Sequence, residues 1–279
     1  MPVDFAGFPC DYTAINALVE KHRDTFVPAT DRQKQLGRIL VLSDAAHSFG
    51  ASINGVKTGA LTDVSVFSFH AVKNLTTAEG GAVALQLPAP FDNQEIYNAL
   101  CITSLHGQNK DALAKTQKGN WRYDIVEAGY KCNMTDLTAA IGLIELERYD
   151  SDTLPKRRHI VELYNKLLQG DQRFELPVFS DAGRQGSYHL YPLRIKGITE
   201  AQRDAVMQEI FNRDVSVNVH FIPVPAMSFY KNLGYKITDY PVTYDNFSRE
   251  ISLPVFYDLS DAQISTVVEA LVAAVNKIC

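Results

Sequence analysis

The sequence is short of the features that mark several large protein classes. Its 279 residues include four cysteines, Cys10, Cys101, Cys132 and Cys279, which are far apart and form no CxxC pair. That argues against a disulfide framework or a thiolate zinc site, and fits reduced thiols in a cytoplasmic setting. No apolar run approaches the roughly 20 residues that a membrane helix needs. The opening residues, MPVDFAGFPCDY, lack a basic start followed by an apolar core, so no signal peptide is expected. Positive charge is not in excess. The formal net charge is -5, which gives no electrostatic reason to expect a nucleic-acid partner. The seven histidines show no metal-ligand set. The scattered carboxylates show none of the pairing that glycoside hydrolysis uses. Internal repeats and low-complexity stretches are also absent.

What is present is an ordinary globular balance, 46% hydrophobic and 21% charged, enough for one large domain or two smaller ones. In residues 12–24, Ile15, Leu18 and Val19 recur at helical spacing. Residues 38–43 are nearly all apolar and read as a buried strand of a parallel sheet. Residues 64–67 read as a second strand. Gly80 and Gly81 precede a third at 82–85. This alternation favours an α/β layer architecture. From Thr135 the pattern turns helical, with Leu137, Ala140, Ile141 and Ile144 in one apolar stripe. Helical character continues past a kink expected at Pro155 to a stop at Gly170. Residues 188–195 and 215–222 read as strands, and 200–213 and 260–278 as helices. The expectation is a large α/β domain over 1–150 with a mostly parallel sheet. A linking helix and a smaller α+β domain would occupy 151–279.

Three groups converge between residues 44 and 81. Asp44 directly follows the first strand, and Ser68 follows the second. The carboxyl ends of strands are where open α/β sheets bind ligands. Lys73 lies five positions beyond Ser68, ahead of Glu79-Gly80-Gly81. A carboxylate, a hydroxyl and an amine thus reach one edge. Pyridoxal phosphate needs this set. An amine forms an imine with its aldehyde. A carboxylate keeps its pyridine nitrogen protonated. Hydroxyl and backbone N–H groups hold its phosphate. Plainer readings stand beside these. Asp44 can cap a turn, Ser68 can be a strand-end hydroxyl, and His47 can be an interior ring. His70 reads as structural, and His106 and His189 as structural or substrate-adjacent rather than catalytic. Trp121 and Tyr123 read as packing or as contacts to sugar or nucleotide. Lys156, Arg157 and Arg158 read as a solvated helix face.

The literal strings narrow the choice. SDAAHSFGASINGVKTGALTDVSVFSFHAVKNLTTAEGGAVAL, residues 43–85, closely resembles the DegT/DnrJ/EryC1/StrS family of nucleotide-sugar aminotransferases. So does HGQNKDALAKTQKGNWRYDIVEAGYKCNMTDLTAAIGLIELERYD, residues 106–150, with VNVHFIPV at 217–224 and REISLP at 249–254. The resemblance implies a type I pyridoxal phosphate aminotransferase fold. It makes Lys73 the Schiff-base lysine and Asp44 the partner of the pyridine nitrogen. It places His47 beside the ring, Ser68 on the phosphate, and Asn133 on the phosphate of a neighbouring subunit, hence a homodimer. It places His220 near the sugar nucleotide. The implied reaction moves an amino group, with glutamate as usual donor, to a keto group on a nucleotide-linked sugar, in polysaccharide or glycan synthesis. Family members begin upstream of the segment matching Met1–Gly7, with a further phosphate-binding turn. The expectation is therefore a truncated large domain, and the alternative is a non-catalytic remnant or a split-gene subunit. Another type I enzyme, with Arg194 binding a substrate carboxylate, is a further reading.

Overall fold

The structure is a computed structural model that describes residues 1–110, 118–119 and 121–279. Part of the 106–150 string therefore lies outside the described residues. Two compact units emerge. One comprises Met1–Asp4 with Pro9–Glu147, and the other Phe5–Phe8 with Arg148–Cys279.

In the first unit, helix α1 (Tyr12–Lys21) starts where Asp11 accepts the Ala14 N–H at 2.9 Å. Helix α2 (Asp31–Leu36) carries a Thr30/Gln33 capping box and stops at Gly37, whose φ of 66° suits glycine. Strand β1 (Leu42–Asp44) pairs in parallel with β2 (Val64–Ser68), setting Leu42 opposite Val64 and Asp44 opposite Val66. β2 pairs antiparallel with β3 (Gly81–Leu85), setting Ser68 opposite Gly81. A parallel bridge joins Val3 to Asp44 on the other side of β1. Tyr12, Val41 and Ile53 form a buried cluster, with Ile15 and Val19 packed on it.

The expected strand at 38–43 forms only from Leu42. Upstream of it, the backbone is held by a side chain. Asp63 accepts two hydrogen bonds from Arg38, at 2.6 and 2.7 Å, and one from the Val41 N–H at 2.9 Å. Helix α3 spans Asn93–Ser104 and α4 spans Asp136–Arg148. The apolar stripe on α4 is helical as expected, but it is not buried. Leu137 is 82% exposed and Ile144 61%.

A π-helical turn (Tyr149–Thr153) precedes α5 (Leu154–Leu168). Pro155 sits in the first turn of α5, directly after the π-helical turn. In the second unit, strands β4 (Phe174–Glu175), β5 (Tyr191–Ile195) and β6 (Glu250–Leu253) form an antiparallel sheet with β5 central. Helix α6 spans Glu200–Phe211, α7 Ser228–Asn232, α8 Pro241–Arg249 and α9 Asp261–Ile278. α9 buries Ile264, Val267, Val268, Leu271 and Val275 at helical spacing and packs on α5 and α6.

Two expectations for this unit are corrected. Residues 215–222 make no extended strand, only the Asn218–Ser252 bridge. Arg157 is not on a solvated face: it is 6% exposed. Its Nη1 donates to the carbonyls of Tyr188, His189 and Val255. Burial lowers its guanidinium to about 10.

Ser260 caps α9, with its Oγ accepting from Gln263 N–H at 3.3 Å and its own N–H donating to Gln263 Oε1 at 2.9 Å. Ser260→Ala should lower stability by about 1 kcal/mol, read as a lower urea midpoint at unchanged slope. No change in the midpoint would refute the cap's contribution.

Candidate active site

The carboxyl ends of β1 and β2 lie side by side because the two strands run parallel and in register. Asp44 ends β1. Its backbone is held on the outer side, its N–H donating to Pro2 O at 2.9 Å and its O accepting from Asp4 N–H at 3.0 Å. The side chain is half-buried and accepts the Ala46 N–H at 3.1 Å. His47 is half-buried in the turn that follows. Ser68 ends β2, half-buried, and its Oγ accepts the His70 N–H at 3.4 Å. Lys73 follows in a turn closed by its own N–H on His70 O at 2.9 Å.

The electrostatics join two of these residues. Burial lowers the Lys73 ammonium, and the charge of Asp44 opposes that shift. Desolvation thus favours the neutral amine, which is the nucleophilic form. At the same edge, a Cβ on Gly81 would lie 2.6 Å from the Phe67 carbonyl oxygen, so this pairing requires glycine.

Asn133 is exposed. It donates to Met134 O at 3.2 Å and accepts from Lys131. His220 belongs to the second unit. Its Nδ1 lies 2.8 Å from Ser252 Oγ, and its N–H donates to Glu250 at 3.0 Å. Arg194 is ion-paired with Glu175 at 2.6 Å and also donates to Asn246. Its charge is already matched, which weakens the case for a substrate carboxylate there.

Two groups of buried residues had no signal in local spacing. Asp4, fully buried, accepts from Tyr12 and Ser48 hydroxyls at 2.6 and 2.7 Å, directly behind β1. Glu250 and Ser252 hold His220. In both groups the partners are distant in sequence, so no periodicity reports them.

The donor set beside Lys73 fits pyridoxal phosphate: a desolvated amine, a carboxylate within its field, and a strand-end hydroxyl. Comparison with known proteins agrees. The model of the DegT/DnrJ/EryC1/StrS aminotransferase family matches residues 1–272. The Bacillus subtilis spore coat polysaccharide biosynthesis protein SpsC is 33% identical over 97% of the chain, which spans 65% of SpsC. A UDP-4-amino-4,6-dideoxy-N-acetyl-beta-L-altrosamine transaminase of Campylobacter jejuni is 30% identical over 99% of the chain, again spanning 65% of that relative. Spr1654 of Streptococcus pneumoniae, assigned as a sugar aminotransferase, has a solved PMP form that superposes with a TM-score of 0.92 at 41% identity. That match covers 99% of this chain and 69% of Spr1654. Spr1654 is also solved in a PLP form. The family and these two forms identify pyridoxal phosphate as the cofactor. Among the described residues, no helix is long and apolar enough to cross a membrane.

Proposed function

The chain belongs to the DegT/DnrJ/EryC1/StrS aminotransferase family, and from that premise we propose that it transfers an amino group to a keto group on a nucleotide-linked sugar. Glutamate is the proposed donor, and polysaccharide or glycan synthesis the proposed setting, in the cytoplasm. The observation that carries this reading is the Lys73 amine, desolvated and within the field of Asp44.

When bound, pyridoxal phosphate supplies an electron sink for the substrate carbanion. The residues of the chain do the rest. Lys73 Nζ would hold the cofactor and, as a free amine, would carry a proton to and from the substrate. The Asp44 carboxylate would keep a proton on the pyridine nitrogen. His47 would border the ring. Ser68 would donate its hydroxyl to the phosphate. Asn133 reaches the phosphate in a second copy of the chain, so the working form is a homodimer. The exposed apolar residues of α4, which begins three residues beyond Asn133, support that assembly, because covering them removes apolar surface from water. His220 contacts the substrate. The first unit serves as the cofactor domain and the second as the smaller domain.

Borohydride reduction of the purified chain with pyridoxal phosphate, followed by peptide mass analysis, tests the reading. The cofactor mass should appear on the Lys73 peptide. A label spread over surface lysines, or none, sinks it.

A further inference from the structure

His220 is one member of a three-residue unit. β6 turns Glu250 and Ser252 to one face, because alternate residues of a strand share a side. Each is 4% exposed. Ser252 Oγ donates to Glu250 Oε1 at 2.5 Å and lies 2.8 Å from His220 Nδ1. Glu250 Oε2 accepts the His220 backbone N–H at 3.0 Å. Asn218 and Ser252 exchange backbone bonds of 3.2 and 2.7 Å, which fixes the spacing. His220, Ser252, Asn218 and Ser216 line one cavity of about 200 Å³.

A serine hydroxyl has one proton to give. While Ser252 gives it to Glu250, it can only accept from His220. Nδ1 then bears the hydrogen, and the neutral ring keeps its lone pair on Nε2. We propose that Glu250 and Ser252 are positioning residues that hold neutral His220 as the Nδ1–H tautomer. Uptake of one proton by the unit then turns Nε2 from an acceptor into a donor.

The added proton can rest on His220, which then has N–H at both positions. It can instead rest on Glu250. The acid then donates to Ser252, Ser252 donates to Nδ1, and the ring hydrogen sits on Nε2. Nε2 bears a hydrogen by either route, so the outcome does not depend on how the two sites share the charge.

Burial pushes the Glu250 carboxyl up to about 7, against the opposing pull of Ser252, the His220 N–H, Arg203 and Arg194. Arg194 faces it from β5, and Arg203 on α6 donates to its backbone oxygen at 3.1 Å. Arg249, beside it, is paired with Asp245 and Glu175, and Glu175 also pairs with Arg194. These guanidinium groups stay charged, so the proton is shared between Glu250 and His220. The consequence for substrate rests on the proposed role of His220. Before that uptake, Nε2 accepts from a sugar hydroxyl. After it, Nε2 donates, which suits an oxyanion.

The test is a long-range proton–nitrogen spectrum of the histidine-labelled chain, without cofactor or substrate, with His220 assigned by His220→Gln. At about pH 8.5, above the ordinary histidine range, wild-type His220 should carry its hydrogen on Nδ1. Ser252→Ala removes the relay and should shift the neutral ring to Nε2–H. Glu250→Gln should do the same. Its amide oxygen is claimed by the His220 N–H, so its NH₂ faces Ser252 and reverses the chain of donors. Ser252→Ala, which loses one hydroxyl, decides the matter if Glu250→Gln fails to fold. A wild-type ring with its hydrogen on Nε2 at that pH overturns the proposal, as does an unchanged tautomer in Ser252→Ala. Neither result bears on the borohydride trap at Lys73, so the two failures are distinguishable.

Discussion

Lys73→Ala is expected to slow amino transfer by about 10⁴-fold or more while leaving the chain folded. The substitution removes two functions at one atom. Nζ holds the cofactor, and the same nitrogen later moves the proton that completes each half-reaction. Losing one general acid–base group typically costs about 10²–10⁴-fold, and the lost attachment adds to that. Stability should barely change, because the amine is only half-buried and its charged form is disfavoured where it sits. Lys73→Arg separates charge from chemistry. A guanidinium keeps the cation beside Asp44 but neither attacks an aldehyde nor gives up its proton near neutral pH. It should be as inactive as alanine. Small amines added to Lys73→Ala should restore part of the proton transfer and thereby part of the rate. The depressed Lys73 ammonium also sets a direction for pH. The fraction of neutral amine, and with it cofactor capture, should rise with pH and level off earlier than for an ordinary lysine. The measurement is sugar amination from glutamate, with circular dichroism as the fold control. A Lys73→Ala rate within tenfold of wild type would remove the lysine from the mechanism.

How much of this was legible from residue order depends on the range of the interaction. β2 and β3 are local: Val64–Ser68 and Gly81–Leu85 match the expected 64–67 and 82–85 within one residue. The caps of α6 and α9 are local too, since Thr199 with Gln202 and Ser260 with Gln263 lie three apart. The start of β1 was misplaced because Arg38 and Val41 are held by Asp63, more than twenty positions away. The segment 215–222 alternates like a strand, but in the described structure only Asn218 finds a ladder partner, and His220 is bonded through side chains instead. Arg157 was misread because basic neighbours suggest a wet face, whereas its three carbonyl partners lie on two other segments. The candidate site divides in the same way. Asp44, Ser68 and Lys73 could be found because strand ends and a short motif carry them. The groups that hold Asp44 and His220 in place could not, because they meet only on folding.

Asp4→Ala is expected to cost about 3–5 kcal/mol of stability, from the loss of one buried acceptor that several donors share. Asp4 is fully buried. Its Oδ1 accepts from Tyr12 at 2.6 Å and from the Cys10 N–H at 2.9 Å, and its Oδ2 from Ser48 at 2.7 Å. Ser43 lies 3.3 Å from Oδ2 but 2.6 Å from the Tyr12 hydroxyl. Since Tyr12 gives its one proton to Asp4, it receives from Ser43, and the hydroxyls form an ordered chain ending on Asp4. Burial, reinforced by the bond to Asp4, pushes the Tyr12 phenol up, so Tyr12 stays a donor. Alanine strands the buried Tyr12 hydroxyl and takes from Ser48 and the half-buried Cys10 N–H the acceptor they share with it. Asp4→Asn should be milder. Its oxygen can keep Tyr12 and Cys10, while its NH₂ donates to Ser48, whose own hydrogen can turn to Ala45 O at 3.5 Å. The expected order of urea midpoints is wild type, then Asn, then Ala. The effect should reach the candidate site, because the Asp4 N–H and the Pro2 carbonyl hold the backbone of Asp44. Cofactor capture at Lys73 should therefore weaken in Asp4→Ala even where the chain remains folded. An Asp4→Ala midpoint equal to that of Asp4→Asn would show that the shared acceptor is not what stabilises this edge of the sheet.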